Sequence, residues 1–250
     1  MGLLGGAGLA GASPLAAAGK HTQFYMLETY QLKNGSQVGR IHEFLGKGLL
    51  PALNKVHSGP KIFLEATIGP HVPQVAAIIG FSSMEEIWHV HNEVNANAEV
   101  AKAVEKWESD PEPAFEQQTN TLLQAADYSP EVQASTREQP RLFELRTYHS
   151  PTWKQLHALH ERFAGPEIKI FHRSGIYPIL YTSTMIGANM PNLTYLIPFD
   201  NLAAREKAWD AFTADSEWAK VRKESIDRHG QIASVIQVSF FKATAYSPVK

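Results

Sequence analysis

The chain has 250 residues, of which 44% are hydrophobic and 19% are charged, and its formal net charge is −2. This length suits two domains of ordinary size. A slightly negative charge without a cluster of Lys and Arg excludes a typical nucleic-acid-binding protein, so we expect no nucleic-acid partner. The chain has no cysteine, which excludes disulfides, thiolate catalysis and cysteine-bound zinc.

The first 20 residues differ in kind from the rest. They carry no charge before Lys20, are rich in Gly, Ala and Leu, and include the triplet Ala16-Ala17-Ala18, which suits signal peptidase. The segment resembles the hydrophobic part of a bacterial secretory signal, so we expect an exported, periplasmic or extracellular protein that begins near Gly19. The basic leader is missing, so either the true start lies upstream of Met1 or the segment is a tail of a cytoplasmic protein. The run is too short and too rich in Gly to span a bilayer.

The remainder of the chain repeats itself at a fixed offset of 118 residues. About twenty of roughly 107 positions match without a gap, several times the number that chance gives. We therefore predict two copies of one domain, residues 24–130 and 142–248, joined by a polar linker at 131–141. The matches include Leu27 on Leu145, Thr29 on Thr147, Tyr30 on Tyr148, His42 on His160 and Tyr128-Ser129-Pro130 on Tyr246-Ser247-Pro248.

Each copy opens with a strand that is followed by a helix. The runs 24–30 and 142–148 are short and rich in β-branched and aromatic residues, which is typical of strands. Ser150-Pro151 is typical of a helix start, with Ser as the N-cap and Pro in the first turn. One side of this helix carries Trp153, Leu156, His160 and Phe163.

A hairpin, further helices and a last strand complete the copy. The runs 179–186 and 193–199 predict a hairpin, Asp200-Asn201 predicts the cap of a second helix, a short helix follows at 218–226, and 235–244 predicts the last strand. The order β-α-β-β-α-β is that of a ferredoxin-like unit, so the predicted fold class is α+β. Such a sheet carries helices on one face only, so we expect its other face to be buried face to face against the sheet of the second copy.

Several motifs of the second copy together resemble the NIPSNAP domain of the dimeric α/β-barrel superfamily. They are the run 144–148, the helix with His160, the turn 172–175 and the aromatic stretch 209–218. The first copy departs from this pattern, because Glu28 stands where the second copy has Arg146. The resemblance implies two ferredoxin-like units that form an intrachain dimeric α/β-barrel. It also implies small domains with apolar pockets, some of which perform oxygenation or isomerisation without a metal and others of which hold haem.

Three residues of the second copy are the candidates for catalysis: Tyr148, His160 and Arg146. A Tyr hydroxyl can donate to a substrate carbonyl, an imidazole can move a proton near neutral pH, and an arginine can orient an anionic substrate. Structural roles explain the same residues equally well. Tyr148 would pack at a strand end, His160 would have its hydrogen bonds satisfied on its helix, and Arg146 would pair with Glu28 or Glu144. Their counterparts Tyr30 and His42 are candidates for ligand binding.

Other histidines suggest cofactor sites. His57 and His172 end the first helices and are the candidate ligands of a haem iron if haem binds, although a helix C-cap explains both. His157, His160 and Glu161 share one face of a helix, but the first copy has Gly39 in place of His157, so we expect no metal site. We expect no cofactor, with haem as the alternative.

Two functional hypotheses remain open at this point. The first is a module that binds a small hydrophobic ligand or a protein partner. The alternative is a cofactor-independent oxygenase or isomerase that uses Tyr148, His160 and Arg146. A cavity of about 300 Å³ or more, on which these three residues converge, would favour the enzyme or a ligand site over a filled scaffold. Whether the chain forms a homo-oligomer also stays open.

Overall fold

The structure is a computed structural model that describes residues 21–135 and 137–250. The expected signal segment, with its cleavage near Gly19, lies outside the described residues. Within the described ranges, no helix is long and apolar enough to cross a bilayer. The strands are β1 Phe24–Gln31, β2 Lys61–Ile68, β3 Gln74–Phe81, β4 Gln117–Ala125, β5 Leu142–His149, β6 Leu180–Ile186, β7 Asn192–Phe199 and β8 Val235–Ala243. The helices are α1 Ser36–Glu43, α2 Leu50–Val56, α3 Met84–Asn95, α4 Ala98–Glu108, α5 Trp153–Arg162, α6 Ile168–Arg173, α7 Leu202–Thr213 and α8 Ser216–His229, and π-helical turns at Phe44–Leu49 and Phe163–Glu167 join α1 to α2 and α5 to α6.

The strands form one closed barrel in the order β1-β3-β2-β8-β5-β7-β6-β4. All neighbouring strands are antiparallel. Each half supplies four adjacent strands, and the halves join where β2 pairs with β8 and β4 pairs with β6. The two sheets therefore face each other and also join along both edges. This arrangement confirms the α+β fold class and the intrachain α/β-barrel.

The two halves have the same order of elements. The bounds of β5, β7, β8 and α7 lie 118 residues after those of β1, β3, β4 and α3. The largest difference lies in the last helix, because α8 extends to His229 whereas α4 ends at Glu108. Most positions of one half can therefore be compared directly with a position of the other.

Alternate residues of each strand face either the barrel interior or the helices. In β5, Phe143 packs in an interior cluster that draws buried side chains from both halves, and Leu145 packs against it. Tyr148 lies on the opposite face, in the cluster beneath the helices of the second half. The motif residues Glu144 and Arg146 share this outer face with Tyr148. The candidate site therefore lies between the sheet and its helices, outside the packed interior of the barrel.

The start of α5 differs from the sequence prediction. Thr152 is the N-cap, and its Oγ1 accepts a hydrogen bond from the backbone N–H of Gln155 at 3.2 Å. The predicted cap, Ser150, is buried and instead donates to the carbonyl oxygen of Ile232 at 2.6 Å. Trp153, which was expected on the packed side of the helix, is 61% exposed because it lies in the first turn, beyond the edge of the core.

Candidate functional site

Glu144 is the centre of a buried charged cluster on the outer face of β5. Its side chain is fully buried and accepts hydrogen bonds from Arg205 Nε at 2.9 Å and from the indole N–H of Trp209 at 3.0 Å. Arg146 also donates to it. Burial alone would raise the pKa of Glu144, but the hydrogen bonds from Arg205 and the charge of Arg146 outweigh burial and lower the pKa. Glu144 is therefore an anion held between two guanidinium groups.

Arg146 is fixed by its neighbours on three sides. Besides its ion pair with Glu144, its guanidinium lies 4.2 Å from the ring centroid of Trp209. Its Nη2 donates to the hydroxyl oxygen of Tyr148 at 3.1 Å. Of the alternatives left open by the sequence, the structure pairs Arg146 with Glu144 and also brings Arg146 and Tyr148 together.

A second buried carboxylate lies on the far side of Tyr148. Glu167 is 1% exposed, and its Oε2 accepts a hydrogen bond from Arg162 Nε at 2.6 Å. Burial raises the pKa of Glu167, although the charge of Arg162 acts in the opposite direction. The π-helical turn that joins α5 to α6 ends at Glu167 and contains Gly165, whose φ of −85° and ψ of −109° are not helical. This kink precedes Glu167 at the point where its side chain enters the core.

Tyr148, Arg162 and Glu167 line one cavity of about 130 Å³, here called the second-half cavity. It lies beneath the helices, with walls from α5, α7, α8, the π-helical turn, β5 and β8. Most of its wall is apolar, while Arg222 on α8 adds a further cation. The remaining lining residues are Phe212, Trp218, Ile226, Gln231, Ile232, Ala233 and Ile236.

Aromatic rings occupy the corresponding place in the first half. At the 118-residue offset, Phe44 corresponds to Arg162 and Leu49 corresponds to Glu167. Phe44 stacks on Trp107 with ring centroids 4.4 Å apart, and Phe115 lies 5.5 Å from the same indole. Tyr30, a predicted ligand-binding residue, also packs against Trp107, at 5.8 Å. The first half therefore has a filled apolar core where the second half has a cavity and an ion pair.

Tyr30 has a different polar partner from its counterpart Tyr148. Its hydroxyl donates to Glu28 Oε2 at 3.0 Å. Burial raises the pKa of Glu28, while the hydrogen bond from Tyr30 opposes this shift. The exchange of Arg146 for Glu28 thus reverses the charge beside the tyrosine, and the two halves cannot bind the same polar group at this place.

His160 does not join Arg146 and Tyr148. Its Nδ1 lies 2.7 Å from the hydroxyl of Tyr128, and its Nε2 lies 2.7 Å from the hydroxyl of Ser183. Burial lowers the pKa of His160 to about 4, so the ring is neutral at pH 7. With both nitrogens engaged by hydroxyl groups, His160 has the environment of a structural residue.

His42 has a matching environment in the first half. Its Nδ1 lies 3.1 Å from the hydroxyl of Tyr246, and its Nε2 lies 3.4 Å from a carboxylate oxygen of Glu65. Each of the two repeated histidines is therefore bonded to the tyrosine that follows the last strand of the other half.

The predicted haem ligands do not lie beside the second-half cavity. His57 is buried, with Nε2 2.8 Å from the carbonyl oxygen of Gly80 and Nδ1 3.4 Å from Glu86. His172 is exposed and stacks on Tyr177 at 5.2 Å, beside a surface groove of about 580 Å³. No histidine lines the second-half cavity, and 130 Å³ is too small for a porphyrin. The second-half cavity therefore does not fit a haem.

The histidines considered for a metal are also separated. His157 is exposed on α5, and its Nε2 lies 3.2 Å from Glu161, four residues further along the helix. Because His160 is turned towards Tyr128 and Ser183, the three residues do not form one site. In the part of the chain that the structure describes, no group of three His, Asp or Glu side chains could hold a metal ion.

Two residues of the site, Arg162 and Glu167, were missed by the sequence analysis. The available signal was a break in the repeat, because both stand where the first copy has an apolar residue, Phe44 or Leu49. A charged side chain at a position that its counterpart shows to be buried is costly unless it is paired. Such a substitution marks a site more clearly than a residue that both copies share.

Two four-stranded, ferredoxin-like halves that close one barrel with helices outside have the architecture of a dimeric α/β-barrel. Residues 143–248 match the sequence profile of the NIPSNAP family. The NIPSNAP match therefore covers the second half of the chain. A comparison with curated protein sequences finds no match.

Solved structures with the same fold include enzymes. A monooxygenase-like protein of Fusobacterium nucleatum superposes with a TM-score of 0.58 at 6% sequence identity, over 89% of this chain and 93% of that chain. A chlorite dismutase of Candidatus Nitrospira defluvii superposes with a TM-score of 0.52 at 8% identity, over 91% of this chain and 93% of that chain. A NIPSNAP family protein of Agrobacterium tumefaciens is 23% identical over 45% of this chain and 96% of that chain, with a TM-score of 0.37. At these identities, the similarity to the first two structures shows the fold alone.

Proposed function

We propose that the protein binds a small, mainly apolar ligand with an anionic group in the second-half cavity. The observation that carries this proposal is the contrast between the halves. The first half fills the corresponding place with Phe44, Trp107 and Phe115, whereas the second half keeps a cavity beside Arg162 and Glu167. A cavity and a buried ion pair both cost stability, so their presence where the first half has apolar side chains supports a role in binding.

The size and the charge of the cavity define the class of ligand. An enclosed cavity of about 150 Å³ holds a benzene molecule, and the second-half cavity has about 130 Å³. It therefore suits a single ring or a short chain. Arg222 lines the cavity and has no ion-pair partner among the described residues, so it can pair with a carboxylate.

These features favour a binding site over the enzyme predicted from Tyr148, His160 and Arg146. The cavity has about 130 Å³, which is below the roughly 300 Å³ expected for a ligand site or an enzyme, so its volume limits the size of the ligand and does not distinguish the two. His160 is held elsewhere by Tyr128 and Ser183. Arg146 is held by Glu144 and contacts Tyr148, so it acts through that tyrosine.

Benzoate is a suitable probe because it combines one ring with one carboxylate. We expect it to bind the full chain, as measured by saturation-transfer NMR and calorimetry. Ile226 lies on α8 and lines the cavity. Ile226→Trp should fill this space with an indole and abolish binding.

A matched control distinguishes the effect of filling the cavity from the effect of adding an indole elsewhere on α8. Lys223 is on the same helix with its side chain 75% exposed, so Lys223→Trp should leave benzoate binding unchanged. Benzyl alcohol, which lacks the charge, should bind more weakly than benzoate. Equal binding of benzoate to both Trp variants, or no binding to the unaltered protein, would refute the proposal.

A further inference from the structure

We infer that Glu167 and Tyr148 form a proton-transfer pair that acts on a small carbonyl acid bound in the second-half cavity. The inference rests on the proposed binding function and adds a reaction to it. Both side chains line the same cavity and both are buried, Glu167 to 1% and Tyr148 to 6% exposure. The residues that line the cavity thus include one with a carboxylate and one with a hydroxyl that contacts a guanidinium.

Tyr148 is arranged to donate its proton to a ligand oxygen. A guanidinium has donors only, so Tyr148 is the acceptor in its hydrogen bond with Arg146. The hydroxyl proton of Tyr148 is left for another acceptor. Burial raises the pKa of Tyr148, and the charge of Arg146 acts against that rise, so the hydroxyl is protonated at neutral pH. A negative charge that develops on a ligand oxygen would be stabilised by this hydroxyl and, through it, by Arg146.

Glu167 is arranged to accept a proton. Arg162 holds its Oε2, whereas no described residue donates to its Oε1, so Oε1 is the oxygen available to a ligand. Burial raises the pKa of Glu167, which makes it a stronger base than an exposed carboxylate. Arg162 stacks over Trp218 with a distance of 5.0 Å from the guanidinium carbon to the ring centroid, and this contact fixes the ion pair.

The reaction needs no oxidant, reductant or second substrate. Glu167 Oε1 takes a proton from the carbon beside the carbonyl group, and the electron pair of that C–H bond forms the C=C bond of an enolate. The carbonyl oxygen becomes the anionic oxygen and accepts a hydrogen bond from Tyr148. Return of the same proton to the same carbon restores the ligand. In D₂O, a deuteron from solvent replaces the proton on Glu167, and its transfer to the same carbon gives exchange, whereas transfer to another atom of the enolate gives an isomer.

The first half cannot carry out this step. Leu49 stands where the second half has Glu167, and Glu28 replaces Arg146. Tyr30, the counterpart of Tyr148, donates its proton to Glu28. Tyr30→Phe is therefore a matched control for Tyr148→Phe, since both remove one buried hydroxyl from the same place in each half.

The experiment follows the exchange of hydrogen for deuterium in 2-oxobutanoate, a short acid with acidic protons beside its ketone. Loss of the C3 proton signal in D₂O is measured by NMR with the full chain. We expect exchange above the buffer rate, a loss of about 100-fold or more in Glu167→Gln, a partial loss in Tyr148→Phe and no change in Tyr30→Phe. The Glu167→Asp variant, which keeps a shortened carboxylate, should retain part of the activity and serves if Glu167→Gln fails to fold.

The outcomes distinguish the inference from the binding proposal. Benzoate binding without exchange above the buffer rate would overturn the proton-transfer pair and leave the binding site in place. Full exchange in a folded Glu167→Gln variant would overturn the role of Glu167. If neither benzoate nor 2-oxobutanoate interacts with the protein, both proposals fail.

Discussion

His160 and His42 occupy matching places on the first helix of each half, but their surroundings differ in one respect. His160 lies between two hydroxyl groups, those of Tyr128 and Ser183. His42 lies between the hydroxyl of Tyr246 and the carboxylate of Glu65. His160 therefore has no anionic partner at hydrogen-bond distance, whereas His42 has one.

His160→Gln should lower the free energy of unfolding by about 1 to 3 kcal/mol at pH 7.5, since two partly buried hydrogen bonds are disturbed. The pKa of His160 is about 4 in the folded chain and about 6.5 when unfolded. Between these values the unfolded chain binds more protons, so this stabilisation is present above pH 6.5 and is lost as the pH falls towards 4. The difference in free energy of unfolding between the unaltered protein and His160→Gln should therefore become smaller at low pH.

Urea denaturation of both proteins at pH 7.5, 5.5 and 4.5 measures this change, because other titrating groups cancel in the difference. His89 is an exposed histidine on α3, so His89→Gln should change stability by less than about 0.5 kcal/mol at every pH. A deficit of His160→Gln that stays constant across the series would show that the histidine does not titrate as described.

Single residues of the site were only partly predictable. The motif of β5 indicates Tyr148 and Arg146, which do lie in contact, because alternate residues of a strand share a face. Glu167 was not predictable from periodicity, since the π-helical turn around Gly165 breaks the helical pattern that would place it. His160 was grouped with Tyr148 by spacing alone, and spacing cannot show which side of the helix meets Tyr128.

At the scale of elements, the segment after the last strand of each half crosses to the other half. Ser129 Oγ accepts a hydrogen bond from the backbone N–H of Tyr181 at 3.0 Å, and Ser247 Oγ accepts one from Phe63 at 3.0 Å. Together with the bonds between tyrosine and histidine, these contacts attach each tail, Tyr128-Ser129-Pro130 or Tyr246-Ser247-Pro248, to the other half. The repeated Tyr and His thus connect the two halves.

The Ser129→Ala and Ser247→Ala variants should destabilise the protein by similar amounts, about 1 to 3 kcal/mol each, because each leaves one buried backbone N–H without a partner. Thermal unfolding followed by calorimetry measures both. The two sites are in different halves, so the double variant should show the sum of the single effects. A neutral effect of either change would mean that its tail is not held by this contact.

The sequence predicted the tails as a recurring pattern but not their partners. The offset of 118 residues states which positions correspond, and the bounds of β5, β7 and β8 follow it. It contains no information on whether Tyr128 meets His42 or His160, because both choices preserve the repeat. The answer depends on how the edges of two sheets meet, which a local pattern does not encode.

For the whole molecule, closure of the barrel makes each half depend on the other. The interior cluster takes Tyr25 and Leu64 from one half and Phe143 and Phe241 from the other. Separation of the halves would expose this core together with the edges of β2, β4, β6 and β8. A homo-oligomer is not needed to complete the barrel, because one chain supplies all the strands.

A fragment of residues 142–250 should form a homodimer. Alone it would have two free edges, β6 and β8, and an uncovered interior face. In the full chain, β6 pairs with β4 and β8 pairs with β2. Between the two halves, β8 corresponds to β4 and β6 corresponds to β2. Two fragments can therefore close a barrel with β8 of each against β6 of the other. The tail with Ser247 would then meet Tyr181 of the second fragment as Ser129 does in the full chain.

Light scattering coupled to size-exclusion chromatography gives the mass of this fragment, and its melting temperature should rise with concentration because only the dimer is folded. Ser247→Ala should weaken the dimer, since it removes a contact that lies between fragments rather than within one. A folded monomer with a concentration-independent melting temperature would show that one half buries its sheet without a partner. That result would contradict the physical reason proposed for two such units in one chain, because neither half would then need the other to cover its inner face.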